Sequence, residues 1–170
     1  MPSDGPADRF VPPPGRLHLL HLVEYQGGLR LCEDTTGLLV GPTDRRLQRA
    51  GLYVANLRGV TYYQAAARQA DLRPGQPLRL VPEPDNPHDA HAVAVYSNGE
   101  SNPIGYVNKQ KAGVWSRLIA DGAQLSAVSL RGTGPGTKCE AVAVLAAEPR
   151  VVAHLLSPRP ASLPRPAFLQ

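Results

Sequence analysis

The chain is short of most features that announce a chemistry. It has only two cysteines, Cys32 and Cys139, far apart in sequence, and they read as ordinary reduced thiols rather than a disulfide. No apolar run approaches the length that spans a bilayer. Residues 17–23 are too short and lack the basic start and cleavage pattern of a secretory signal, so the cytoplasm is the expected location and a membrane is not an expected partner. Long basic stripes are absent. A net charge of +4 and a pI near 9.3 admit a polyanionic partner. The lack of a stripe argues against coating many phosphates and fits a small basic patch around one site. No internal repeat is present.

Catalytic constellations are missing too. His88, Asp89 and His91 lack the third and fourth converging ligands that a divalent metal needs, so no metal is expected. The stretch Gly132–Lys138 is glycine-rich, but it lacks the Gly-Lys-Ser/Thr ending of a phosphate loop. Pro135 interrupts it, and it reads as a hairpin connection. No motif sets a serine or cysteine beside a histidine for nucleophilic attack. The expectation is a protein that is not an enzyme and uses no cofactor.

What the chain does have is concentrated between Leu80 and Lys109. Three prolines in six positions (Pro82, Pro84, Pro87) fix φ and remove donors, so the turn they occupy holds one shape. On that frame sit Glu83, Asp85, Asn86, His88 and Asp89. A rigid polar loop at the rim of a β-structure is where binding residues tend to lie.

Around this loop the chain reads as a mainly β fold with one or two helices. Residues 1–15 read as a disordered leader and residues 16–50 as an N-terminal extension packed on the main body. In that extension Leu17–Tyr25 is strand-like, with His18 and His21 on opposite faces, and Thr43 is placed to cap a short helix through Ala50. The main body is 51–150. Strands are expected over Leu52–Tyr63 (with Gly59 a bulge), Pro77–Val81, Ala90–Tyr96, Ile104–Val107, Gln124–Leu130 and Lys138–Ala147. Asn108 caps a helix running to about Asp121, on which Ala112, Trp115, Leu118 and Ile119 form one buried stripe before Gly122 ends it. Many short strands with few helices predict a small barrel rather than a sandwich. Residues 151–170 form a Pro-rich tail whose final stretch, from Ser157, reads as a solvated end.

Five blocks in this order resemble a HIRAN domain: Gly59-Val-Thr-Tyr-Tyr63, Arg73-Pro-Gly-Gln76, Glu83-Pro-Asp-Asn-Pro-His-Asp89, Ala92-Val-Ala-Val95 and Ile104-Gly-Tyr-Val107. The resemblance covers roughly residues 52–147. It implies a modified OB-like small β-barrel that binds single-stranded DNA at a free 3′-hydroxyl end. In that scheme aromatic rings stack on the terminal base, a carboxylate accepts from the hydroxyl, and basic groups touch the first phosphates. Carried onto this chain, Tyr62 is the first stacking platform, and Asn86 and Asp89 sit in the end-recognition loop with Asp85. Tyr106 and Lys109 line the adjoining strand–helix junction. His88 stands where the family often has a second aromatic; Thr61 and Pro82 stand where it often has basic residues. The implied setting is DNA repair, replication restart or mobile-element biology, with repair proteins as further partners.

Each of these residues also has a plainer role open to it. Tyr62 and Tyr63, as strand neighbours, should point one ring inward and one outward. Tyr106 can simply cover the barrel edge, Asn86 and Asp89 can bond only the turn's own backbone, and Lys109 can be a solvated helix residue. A protein-interaction domain using the same loop without nucleic acid is the alternative function. A metal-dependent nuclease built on Glu83, Asp85 and Asp89 is a weaker third.

Overall fold

The computed structural model describes residues 10–169. The leader expected over 1–15 therefore lies outside the described residues for 1–9. Beyond it, Phe10–Val11 is a strand, not loose chain. The strands are β1 (Phe10–Val11), β2 (Leu20–Tyr25), β3 (Gly28–Glu33), β4 (Leu39–Val40), β5 (Tyr53–Arg58), β6 (Pro77–Pro82), β7 (Val93–Ser97), β8 (Gly105–Val107), β9 (Ser126–Arg131) and β10 (Ala143–Ala147). The helices are α1 (Arg46–Arg49), α2 (Gln64–Gln69), α3 (Lys109–Ala120) and α4 (Pro149–Leu156).

Among the described residues, six antiparallel strands close a barrel in the order β10-β5-β8-β7-β6-β9. The fold is thus mainly β, as expected, and OB-like, as the resemblance implies, with four α-helices among the described residues where one or two were expected. β1 to β4 form a separate sheet, ordered β1-β4-β3-β2, with β1 parallel to β4.

The apolar pattern of β9 and β10 explains how the two sheets meet. Successive strand residues point to opposite faces. Val144 and Ala146 enter the barrel core with Val93, Val95, Ile104, Val107 and Trp115. Leu145 and Ala147 face outward into a second core with Val128 and Leu130 of β9, Leu20 and Leu31 of the other sheet, and Val152 and Leu155 of α4. β10 is apolar throughout because both of its faces are covered. Cys32 and Cys139 are buried and free, and burial pushes the Cys32 thiol pKa up.

The helix α3 closes one end of the barrel. Asn108 Oδ1 accepts from the Lys111 backbone N–H at 3.2 Å, and Trp115 is fully buried against the edge of Tyr53. Leu118 and Ile119 are only half-buried, so the stripe weakens toward the C-terminus. Removing this cap with Asn108→Ala is expected to cost about 1 kcal/mol in urea unfolding.

Several expected boundaries move. The strand starting at Leu17 begins instead at Leu20, after a 3-10 turn over Leu17–Leu19; His18 is exposed there and His21 is buried in β2. Thr43 caps nothing: Asp44 Oδ1 takes the Arg46 N–H at 2.9 Å, and its carboxylate also pairs with the Arg46 guanidinium. Arg46 gives Asp44 three bonds, one from its backbone N–H and two from its guanidinium. Val151–Leu156 lies within α4, and Pro149 opens that helix at a position that needs no N–H.

The tail is the largest departure. Residues 157–169 fold back, and Arg159 reaches the buried Asp34: its Nε donates to Asp34 Oδ1 at 3.1 Å and its Nη2 to the Asp34 carbonyl at 2.9 Å. Asp34 also accepts from His21 Nδ1 at 2.9 Å. The Ala167 N–H donates to Gly37 O at 2.8 Å, and Phe168 meets the Tyr25 ring edge-on at 4.9 Å. A buried ion pair and a ring contact anchor what composition alone presents as solvated chain.

The neighbouring Glu33 is buried on the same turn. Burial alone would raise its pKa. Hydrogen bonds from the backbone and hydroxyl groups of Thr35 and Thr36, at 2.6–3.0 Å, outweigh burial and hold it below the ordinary range. A carboxylate depressed in the folded state stabilises above its unfolded pKa of about 4.3 and loses that contribution as pH falls through the folded value. Urea unfolding between pH 7 and pH 3 is expected to show Glu33→Gln losing less stability on acidification than the parent chain. Parallel pH profiles would remove Glu33 from the acid response.

Candidate nucleic-acid interface

The site forms where β5 leaves the barrel. Leu57 and Arg58 pair with Val107 and Tyr106 of β8. The chain then turns at Gly59 with φ +79°. The left-handed conformation favours glycine, and a Cβ there would also meet Tyr63 ring carbons at 3.5–3.6 Å. Both Tyr62 and Tyr63 donate their N–H to Gly59 O at 3.0 Å, while Val60 is buried and fixes the turn to the barrel.

β5 therefore stops at Arg58, and the two tyrosines lie in the turn before α2 rather than in a strand. The split expected of them holds for a different reason. Tyr63 is half-buried and tilted against Tyr106, ring centroids 5.8 Å apart. Tyr62 is 83% exposed and stands edge-to-face with Tyr63 at 4.9 Å and 81°. Tyr62 thus presents a large, mostly exposed ring beside the half-buried Tyr63.

The Pro-rich loop between β6 and β7 is tied down by its own polar groups. Asn86 Oδ1 accepts the N–H of His88 at 2.9 Å and of Asp89 at 3.1 Å. Asp89 Oδ1 accepts the His91 N–H at 2.8 Å. Glu83 Oε1 receives both Asn86 Nδ2 and the Tyr106 hydroxyl at 3.0 Å. Burial first, and then the bond to Glu83, push the Tyr106 phenol well above its ordinary pKa, so it stays a neutral donor. β7 begins at Val93, not Ala90, because this turn extends through Ala92.

Tyr62, Tyr63, Tyr106, Asn86 and Asp89 thus share one rim. Asp85 and His88 are exposed on the same loop, and Lys109 is exposed at the first position of α3. Among the described residues no ring contact, ion pair or side-chain hydrogen bond ties Asp85, the His88 imidazole or Lys109 to the tyrosine cluster.

One member escapes sequence reasoning. Arg58 sits 3.5 Å from Asp89 Oδ2, and its guanidinium carbon lies 6.0 Å from the Tyr106 ring centroid. It supplies positive charge at a rim where Thr61 and Pro82 supply none. Only the β5–β8 register places it there, and nothing local in the sequence announces that pairing. Glu83 is visible in the loop, but its role as the joint between Asn86 and Tyr106 also depends on strand pairing.

The arrangement is a closed β-barrel whose rim carries aromatic, acidic and basic side chains. The HIRAN domain model matches residues 50–144, more than half of the chain, and the chain belongs to that family. Among solved structures it is similar to the HIRAN domain of human HLTF, at 17% identity over 62% of this chain and 83% of that one, with a TM-score of 0.45. A protein from Lactobacillus plantarum gives 18% identity over 56% and 92%, TM-score 0.44. The HLTF HIRAN domain in its DNA-bound conformation gives 18% identity over 62% and 82%, TM-score 0.41. No curated protein matches the chain. Among the described residues no helix is long and apolar enough to cross a membrane.

Proposed function

We propose that this chain is a DNA-binding module that holds single-stranded DNA by a free 3′-hydroxyl end, without catalysis, in repair, replication restart or mobile-element biology. Membership of the HIRAN family makes DNA the first ligand to consider, since HLTF's HIRAN domain has a DNA-bound conformation. The observation that carries the reading is the open Tyr62 ring on the same rim as Asp89 and Arg58.

The terminal base stacks on Tyr62, which needs no particular sequence because every base has a π-face. Asp89 accepts from the terminal hydroxyl. A terminal phosphate would bring negative charge beside the same carboxylate and is repelled. Arg58 neutralises the adjoining phosphodiester and, 3.5 Å from Asp89 Oδ2, holds that carboxylate in place. Asn86 and Glu83 hold the loop in place, while Asp85, His88 and Lys109 offer outer contacts to the strand.

Fluorescence titration with three labelled oligonucleotides tests this: a 3′-hydroxyl single strand, the same strand with a 3′-phosphate, and a blunt duplex. The 3′-hydroxyl strand is expected to bind tightest, by about tenfold or more, equivalent to one lost hydrogen bond to a charged group. Equal binding of all three would refute end recognition.

A further inference from the structure

The barrel carries a second feature that the 3′-end site does not use. Between the β2–β3 hairpin and the barrel lies a cavity of about 440 Å³, and none of its described lining residues is acidic. Arg30 of β3, Lys111 of α3 and Arg131 of β9 line it from three separate elements. No described carboxylate forms an ion pair with any of the three.

The floor is a single row across the sheet. Arg131 pairs with Ala143, Ala143 pairs with Asn56, and Asn56 O accepts the Asn108 N–H at 3.1 Å. At about 4.8 Å per strand the row spans roughly 14 Å. Ala143 at its centre keeps the floor low, and Asn56 and Asn108 add amides that can both donate and accept. The hairpin forms the opposite wall. Gly28 is packed so closely on β9 that a Cβ there would lie 2.8 Å from Leu130 O, which sets β3 directly against the strand that bears Arg131.

This row lies two residues from the rim, along β5 and along the chain that leaves β8. Asn56 and Arg58 share one face of β5, and Asn108, the cap that follows β8, lies two extended residues beyond Tyr106, so about 7 Å separates each pair. The groove and the rim are consecutive stretches of one surface.

We infer that Arg30, Lys111 and Arg131 form a second subsite that holds the phosphodiester backbone of single-stranded DNA on the 5′ side of the recognised terminus. This rests on the end-binding reading for its polarity, but not for its chemistry. The extension over 16–50, most of which lies outside the family match, then completes a track instead of covering the site. Cations, amides and an absence of acid are what a backbone of phosphodiesters needs, and they carry no base preference.

Salt-dependent titration of the whole chain and of Arg30→Gln/Arg131→Gln tests the subsite, with three probes: a 3-nucleotide and a 15-nucleotide strand with 3′-hydroxyl ends, and a circular single strand without ends. The double variant is expected to bind the short strand as the parent does. It should bind the 15-nucleotide strand about fivefold or more weakly at low salt, with a log–log salt slope shallower by about 1.4 for two lost phosphate contacts. Circular DNA should weaken in parallel. Unchanged binding and slope for the 15-nucleotide strand would overturn the subsite while leaving end recognition intact. A weakened circular strand in a protein with no 3′-hydroxyl preference would support the subsite and sink the end-binding reading. Absence of binding to all three probes by the parent chain would overturn both.

Discussion

Tyr62→Ala is expected to weaken binding of a 3′-hydroxyl oligonucleotide by about 1–3 kcal/mol, the worth of one base–aromatic stack. Stability should change by no more than about 0.5 kcal/mol, because the ring is 83% exposed and meets Tyr63 in a single T-shaped contact. The pairing of a large binding loss with a small stability change is the informative outcome. Tyr62→Phe keeps the ring and should bind nearly as the parent does. Should alanine bind as well as tyrosine, with the fold intact, the exposed ring would be no platform.

The second large effect concerns the fold. Arg159→Met is expected to destabilise the chain by about 3–5 kcal/mol in urea or thermal unfolding, because it takes from the buried Asp34 carboxylate the guanidinium that pairs with it and leaves it the His21 contact. The same substitution removes the bond from Arg159 Nη1 to the Pro164 carbonyl, so the tail loses its anchor at both ends of the turn. Asp34→Asn in the Arg159→Met background should recover part of the loss, because the uncompensated charge is then gone; a double-mutant cycle reads the coupling directly. A loss below about 0.5 kcal/mol would mark the pair as an ordinary surface contact.

Legibility followed the range of the interactions. Asn108 as a cap, Gly122 as a terminator and the Pro-stiffened turn after β6 are local devices, and each appears in the sequence within a few residues of what it controls. The apolar runs of β7, β9 and β10 likewise announce a barrel. The tyrosine pair shows a harder case: its division into one open and one covered ring follows from Gly59 and the turn, not from strand alternation. Arg58 belongs to the rim through pairing with residues nearly fifty positions away, and Arg159 meets Asp34 across 125 positions. Composition made the tail look solvated because prolines dominate it, whereas one arginine and one phenylalanine determine where it lies.

The most direct measurement is a structure of the chain with a short single strand ending in a 3′-hydroxyl. The predicted result is a terminal base stacked on Tyr62, with the 3′-oxygen about 2.5–3.0 Å from the Asp89 carboxylate. A strand bound with its 3′-terminus in solvent, or lying away from the Tyr62 ring altogether, would contradict it.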